Sequence, residues 1–330
     1  MNSQTIKVSV ACTTYNQKKY IRKTLNSILT QDTNFEYEII VHDDASTDGT
    51  TAIIHEFAEK YPEKIVPIFQ KENQFSKGVR ILAEIILPCA RGQYIAMCEG
   101  DDFWTDSQKL QKQYDAMQSH QKCSICVHKV QGVSEDEMKC LRMFPDGQKV
   151  TGEISAEEVI HSMLAENKWM FHTTSYFMRK EILQKGNNYE FFMHPVYGDQ
   201  ATLWLAAIFG RFYYIDQVMS SYRMGAIGST VKKDKERTKS IIKNKKWIAS
   251  LMSFDRETRG MFHSDVEEAL KWRNFMLAGD ERNYKVMLEQ CYRKIYNSLP
   301  AYARYHILIS SKIPLFDNLY CLIKKMLKKD

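Results

Sequence analysis

The sequence has no apolar run approaching the roughly 18 residues that would read as a membrane span. The N-terminus, Met1 to Thr5, runs straight into a strand-like segment, with neither the basic stretch nor the apolar core of a leader peptide, which points to the cytoplasm. Phosphate-binding glycine signatures are missing as well. No GxGxxG follows the first apolar strand, which disfavours a dinucleotide fold, and there is no GxxxxGK[ST], which excludes a P-loop. A GxSxG nucleophile elbow is absent, as are internal repeats and low-complexity tracts. Cysteine is scarce in pattern rather than in number. Of eight, only Cys123 and Cys126 form a CxxC, followed by His128 and Cys140 without the second close pair usual at zinc, so Cys123 to Val130 reads as a buried strand. Cys12, Cys89 and Cys98 lie in apolar stretches, where a free thiol behaves as a small hydrophobe.

What is present is a 330-residue chain with 44% hydrophobic and 26% charged residues, enough to build a substantial core. The net charge of +6 is unevenly spread: residues 231–330 hold 22 Lys+Arg against 12 Asp+Glu, a net +10, and the first 230 residues carry a net −4. A basic segment of this kind is either a solvated helical face or attracted to something anionic, a membrane surface or nucleic acid.

The first hundred residues alternate between strand and helix signals. Ile6, Val8 and Val10 repeat with a period of two, and Tyr20, Ile21, Thr24, Leu25, Ile28 and Leu29 fall on one helical face. Strands are predicted at Glu36 to Val41, Ile65 to Phe69 and Gln93 to Cys98, with helices around Ile53 to Ala58 and Val79 to Cys89 between them. This order implies a mostly parallel sheet with helices on both faces. Beyond residue 110 the pattern weakens. Thr105 with Gln108 and Ser155 with Glu158 resemble capping boxes opening two more helices, and residues from Val231 on read mainly as helix.

In such a sheet ligands bind beyond the carboxyl ends of the strands. That rule singles out Thr13-Thr14-Tyr15-Asn16, Asp43-Asp44 and Glu99-Gly100-Asp101-Asp102 along one edge. The adjacent carboxylates Asp101 and Asp102 repel unless compensated, and hard divalent ions such as Mn²⁺ or Mg²⁺ take carboxylate and phosphate oxygens together. Tyr15 could stack on a nucleobase and Asp44 accept a hydrogen bond from it, although each on its own also suits packing or helix capping. With no glycine loop to cradle phosphate, a metal and scattered side chains would have to hold it.

These residues carry a resemblance. Val8 to Gln31 (VSVACTTYNQKKYIRKTLNSILTQ), Tyr37 to Thr50 (YEIIVHDDASTDGT), Asn73 to Gly78 (NQFSKG) and Arg91 to Gln113 (RGQYIAMCEGDDFWTDSQKLQKQ) are similar, in order and spacing, to the motifs of family 2 glycosyltransferases with the GT-A fold, in a bacterial branch that builds surface polysaccharides. More weakly, Gly198 to Gly210 (GDQATLWLAAIFG) resembles the segment carrying the family's catalytic carboxylate, and Tyr213 to Arg223 (YYIDQVMSSYR) its following strand and YR turn. Many relatives carry a histidine shortly after that turn, where this chain has Met224-Gly225-Ala226.

The resemblance implies an α/β GT-A unit, a Rossmann-like mostly parallel sheet flanked by helices. Residues 1–113 would be its nucleotide-sugar half, 114–230 its acceptor half, and 231–330 a basic helical extension. It further implies that Tyr15 stacks on the base, Asp44 bonds its imide edge, Asp101 touches ribose or the metal's hydration shell, Asp102 ligates the metal, and Asp199 is the general base of an inverting transfer. Thr13, Thr14, Asn16, Asn73, Gly78 and Trp104 would complete the donor site, with His172 and His194 as further candidates for acceptor contacts. Trp169 and Trp204 could stack on sugars, although Trp204 sits in a helical apolar run that suits the core. The expected partners are a nucleotide-sugar donor, uridine favoured, and a glycan or lipid-linked glycan acceptor, with no nucleic acid.

Two other readings stay open. A nucleotidyltransferase making nucleotide sugars also uses a metal, but commonly with a Gly- and Arg-rich first loop, and Ala11 to Asn16 has no glycine. A catalytically silent binding module is the other, and the intact Asp102 and Asp199 argue against it. At the C-terminus, Leu315, Phe316, Leu319, Leu322, Ile323, Met326 and Leu327 segregate from Lys324, Lys325, Lys328 and Lys329 on a helix beginning at Pro314. Such a helix could lie on an anionic membrane, peripheral on its inner face, or pack on the protein.

Overall fold

The computed structural model of the chain describes residues 5–147, 150–168, 170–226, 237–313 and 316. The chain divides into two compact units, Met1–Val231 and Lys232–Asp330. The 314–330 helix and Trp169 fall outside the described residues, Phe316 excepted.

In the first unit, β1 (Val8–Thr14) lies between β2 (Tyr37–Asp43) and β4 (Tyr94–Glu99), parallel to both, with β3 (Ile65–Phe69) parallel outside β2. The period of two in β1 suggests one wet face, but the strand is central and buried almost throughout. Its polar alternates are satisfied internally. Ser9 donates to Glu38 Oε1 at 2.6 Å, and the fully buried Glu38 also accepts from Arg91 N and Nε, both at 2.7 Å. A buried carboxylate is tolerated because each oxygen has a partner; stripping one partner from such a pair costs about 3–5 kcal/mol.

The sheet continues through β9 (Phe177–Arg179), β6 (Cys123–Val133), β10 (Arg211–Arg223) and β5 (Phe103–Trp104), in the order β3-β2-β1-β4-β9-β6-β10-β5. β7 (Cys140–Phe144) pairs with β6 and β8 (Gly152–Ile154) with β10. β9 is antiparallel to both neighbours, whereas β6 and β10 run parallel. Helix α1 (Ile21–Leu29) buries Ile21, Thr24, Leu25 and Ile28, the face its spacing predicts, and α2 (Thr50–Lys60) buries Ile54 and Phe57.

One predicted cap is wrong and one is right. Helix α3 spans Lys109–Ser119, and its first residues are not capped by Thr105. Instead Gln31, at the end of α1, accepts from Leu110 N at 2.9 Å and donates to Asp106 O at 2.8 Å. A distant side chain thus replaces the local box, and sequence spacing does not reveal it. In α4 (Ala156–Leu164), Ser155 does accept from Glu158 N, at 3.1 Å.

Behind β5 sits a cation in the core. Lys109 is fully buried, its ammonium 4.0 Å from the Trp104 ring centroid and 2.7 Å from Gln113 Oε1. Burial pulls its pKa down to about 7. Gln113 in turn donates to Cys126 O at 3.2 Å and Ser175 O at 2.8 Å, tying α3 to β6 and to the turn before β9.

The second unit is helical among its described residues. α6 (Arg237–Glu257) packs against α7 (His263–Asp280), and Asp280 accepts from Ser240 Oγ at 2.6 Å and Asn244 Nδ2 at 2.9 Å. Phe275, Ala278, Tyr284, Met287 and Ile307 form its core, the last contributed by α8 (Ala301–Lys312). No helix among the described residues is long and apolar enough to cross a membrane.

Candidate active site

The loops after β1 and β2 are built as one object. Asn16, in the left-handed region at φ 53°, donates its backbone N–H to Ser46 Oγ at 2.8 Å, and its Oδ1 accepts from Thr47 N at 2.8 Å. Gln17 N donates to Thr50 Oγ1 at 2.9 Å and Lys18 N to Asp48 Oδ2 at 2.9 Å. The Asp-Ala-Ser-Thr-Asp-Gly-Thr turn therefore supplies three acceptors and one donor to the first loop, which explains why the two motifs occur together. Tyr15 projects from this scaffold, 42% exposed. Thr13 O accepts from Gly100 N at 2.9 Å, and Thr14 Oγ1 is buried without a hydrogen-bond partner in the protein.

Asp44 organises the next segment. Its Oδ1 accepts from Gln74 N at 2.7 Å and its Oδ2 from Phe75 N at 3.0 Å. Asn73 Oδ1 accepts from Ser76 N at 2.7 Å, and Gly78 ends the turn with φ 84°. Asn73 and Gly78 shape this loop, and Asp44 moors it to the end of β2.

At the end of β4, Gly100 is needed for close approach. A Cβ there would lie 2.4 Å from Gln17 Oε1 and 2.7 Å from Thr14 Oγ1. The next residues are held from two sides. Thr24 Oγ1 lies 2.9 Å from Gly100 O and 2.5 Å from Asp102 O, and Arg223 N donates to Asp102 Oδ1 at 3.1 Å. The Arg223 guanidinium donates to Asp101 O and pairs with Glu137 at 2.6 Å, so it braces the loop from β10. Trp104 is not on the rim. It is 4% exposed and its ring packs on Lys109, because the β5 pairing with β10 turns it into the core. Trp204 is buried in α5 (Gly198–Phe209), and His194 is exposed.

Asp199 lies in the first turn of α5, half-buried, with Oδ1 2.7 Å from Gln200 N. Burial raises its pKa to about 6. The same field reaches its neighbours. Glu99 is pushed up to about 8 by burial and by the charges of Asp101 and Asp199, and Asp102 well above the usual carboxylate range by burial, Asp101 and Glu99. Asp101 is raised as well, by burial. Glu99, Asp101 and Asp102 crowd together at the end of β4, and a cation there would relieve the repulsion that opposes their ionisation.

The donor set fits a divalent ion. Asp102 Oδ2 is buried and has no hydrogen-bond partner. Among the described residues, Glu99, Asp102 and His172 bring ligand atoms within 4.8 Å of one another. His172 Nδ1 faces Asp102 Oδ2 at 3.7 Å, but this is not an ion pair, since burial lowers the imidazole pKa to about 3 and leaves it neutral. Two carboxylates and a neutral imidazole suit Mn²⁺ or a related metal. From the sequence, Asp102 and Asp101 were named for the metal, with Glu99 placed only in the strand-end cluster and His172 among acceptor contacts. Glu99 was visible in the strand-end cluster, but His172 comes from a turn before β9 that no local pattern connects to β4.

Comparisons with known proteins agree with this architecture. The chain matches Glycosyl transferase family 2 over residues 9–186. An uncharacterized protein of Mycobacterium tuberculosis is 42% identical over 132 residues, 40% of this chain and 37% of that protein. The poly(ribitol-phosphate) beta-N-acetylglucosaminyltransferase TarS of Staphylococcus aureus is 37% identical over 100 residues, 30% of this chain and 17% of TarS. The matched segments thus span well under half of these relatives' own lengths. The crystal structure of TarS residues 1–349 with UDP aligns at a TM-score of 0.52 and 17% identity, covering 90% of this chain and 76% of that one. A Pyrobaculum calidifontis mannosyltransferase with GDP-Man and Mn²⁺ aligns at 0.50 and 16% identity, covering 94% and 87%. The family match takes in the interlocked first loops, the acidic end of β4 and His172; with its α/β sheet and helical C-terminal region, the chain belongs to glycosyl transferase family 2, in the GT-A architecture.

Proposed function

We propose that this chain is an inverting, metal-dependent glycosyltransferase that moves a sugar from a uridine diphosphate sugar to a hydroxyl of a glycan or lipid-linked glycan, in building a bacterial surface polysaccharide. The observation that carries the reading is the unpartnered, buried Asp102 Oδ2 facing His172 beside Glu99 and Asp101, at the carboxyl edge of the parallel strands. The exposed Tyr15 ring is a stacking surface for the base, and Asp44 and the loop it moors flank it. Asp199 accepts the proton of the acceptor hydroxyl as its oxygen bonds to the sugar's C1. The bond from C1 to the diphosphate oxygen breaks on the opposite side, which inverts the anomeric centre in a single displacement. A divalent cation, when bound, neutralises the charge gathering on the leaving diphosphate. Family membership supports the donor class, and the name of TarS supports a polymer acceptor.

A thermal-shift series with UDP-, dTDP- and GDP-sugars, each with and without Mn²⁺, checks the donor. A true donor with metal stabilises the fold by about 2.7 kcal/mol at a hundredfold excess over Kd. Slow release of nucleoside diphosphate from the same sugar is expected alongside. Release of pyrophosphate from a nucleoside triphosphate and a sugar phosphate, or no shift with any donor, would overturn the reading.

We further propose that the chain works in the cytoplasm at an anionic membrane surface, docked through residues 314–330. The four lysines Lys324, Lys325, Lys328 and Lys329 are each worth about 1 kcal/mol near such a surface. Intact protein is expected to sediment with phosphatidylserine-containing vesicles at low salt, and protein lacking residues 314–330 to stay in solution while folded. An intact protein that never sediments refutes the docking.

A further inference from the structure

We propose that His172 supplies the nitrogen ligand of the metal site, completing with Glu99 and Asp102 a mixed oxygen–nitrogen set that favours Mn²⁺ over Mg²⁺. This rests on the reading that the pocket takes a divalent cation.

The geometry is already close to that of a ligand set. Donors held about 2.1–2.2 Å from one ion lie at most roughly 4.3 Å apart. The three donor atoms here all lie within 4.8 Å of one another, so they already converge on one point, and a modest contraction would bring all three onto an ion. The imidazole is also aimed. Its ring stacks on Tyr222 with centroids 3.9 Å apart and 28° between planes, and Phe144 closes on it at 5.9 Å. Thr174 N–H points at Nδ1 from 3.4 Å, which assigns a lone pair to that nitrogen and the proton to Nε2. Nδ1 thus has only a long contact from Thr174 N–H on its lone pair, while Asp102 Oδ2, 3.7 Å away, is buried with no hydrogen-bond partner at all. A cation between them would take the Nδ1 lone pair from that long capping contact and give Oδ2 the partner it lacks.

The sequence gap has its answer in the same place. After Tyr222-Arg223 the chain reads Met224-Gly225-Ala226, with no nitrogen donor. His172 lies against the Tyr222 ring, so an imidazole stands beside the end of β10 although it comes from the turn before β9. One nitrogen in the set has a consequence. Mg²⁺ demands oxygen ligands in near-ideal octahedral geometry, whereas imidazole suits the transition metals.

The test uses the full chain without donor. Mn²⁺ is titrated against wild type, His172→Ala, His172→Asp and Asp102→Ala, with free Mn²⁺ read by electron paramagnetic resonance and bound Mn²⁺ examined for ¹⁴N coupling. Wild type is expected to bind Mn²⁺ with a ¹⁴N signal. His172→Ala should lose that signal and bind at least about tenfold more weakly, and His172→Asp should bind without ¹⁴N coupling and with its Mn²⁺-over-Mg²⁺ preference reduced. Circular dichroism shows whether each variant is folded, and the wild-type ¹⁴N spectrum decides the ligand even if both His172 variants fail to fold. Mn²⁺ bound through Asp102 without ¹⁴N coupling in wild type overturns the role of His172 and leaves the metal reading standing. No Mn²⁺ binding by wild type, with or without UDP, overturns both.

Discussion

Asp102→Ala is expected to reduce sugar transfer below detection and to abolish metal-dependent nucleotide binding, while the protein stays folded. Two opposing terms keep stability near that of wild type. The substitution leaves Arg223 N–H without its acceptor at 3.1 Å, worth about 1–3 kcal/mol. It also removes a buried carboxylate whose Oδ2 has no partner and whose ionisation burial, Asp101 and Glu99 all oppose. Function has no such compensation in the proposed mechanism, where Asp102 is the buried centre of the cation site. Transfer measured as release of nucleoside diphosphate, with EDTA controls on wild type, checks this; near-normal wild-type activity in EDTA would refute the metal dependence altogether. The same pocket should show in the metal-free protein's pH profile. Glu99 has its folded pKa raised to about 8 from 4.5, so the folded state holds the proton more tightly, and stability should fall as pH rises through that window. Saturating Mn²⁺ should flatten the slope.

Asp199→Asn is expected to keep donor binding and lower the transfer rate by roughly 10²–10⁴-fold, the usual loss when a general base is removed. The amide has the carboxylate's shape and its oxygen can still accept from Gln200 N, so α5 should start as before. It cannot take a proton from the acceptor. As the proposed base, Asp199 is active in wild type only when ionised. With its pKa raised to about 6 by burial, the transfer rate should fall tenfold per pH unit below the midpoint and level off above it. A cation seated at Asp102 attracts the ionised form, so the midpoint with metal should lie below that of the metal-free group. Rates from pH 5 to 8 under single-turnover conditions test both statements. If Asp199→Asn transfers at close to the wild-type rate, another residue is the base.

Much of the first hundred residues was legible because local signals and tertiary structure agree there. Ile65–Phe69 is a strand to the residue, and the buried face of α1 is the one its spacing predicts. The acidic end of β4 could be found because adjacent carboxylates at a strand end are costly without compensation. The failures have one cause. Thr105 with Gln108 satisfied a local capping rule, yet Gln31 does the capping from 79 residues away. Trp104 follows Asp102 by two residues and invites a role beside the ligand, yet pairing of β5 with β10 buries its ring on Lys109. Asp44 was singled out as an acceptor at the strand end, but that it also moors the next loop, through the backbone of Gln74 and Phe75, was not legible.

From sequence alone came the family resemblance, the α/β order of the first unit, and the edge at which its carboxylates collect. Periodicity and turn chemistry act over a few residues, and the relevant strands are consecutive or nearly so. What only the tertiary structure decided is which groups complete the site. His172 meets Asp102 across 70 residues of chain. Arg223 and Glu137 brace the same loop from β10 and the β6–β7 turn, joined by an ion pair 86 residues apart. Those contacts depend on β9 running antiparallel between β4 and β6 and on β10 pairing with β5. No periodicity encodes that juxtaposition: strand pairing over long loops is set by how the whole core packs, and the candidate cation site is assembled only when it does.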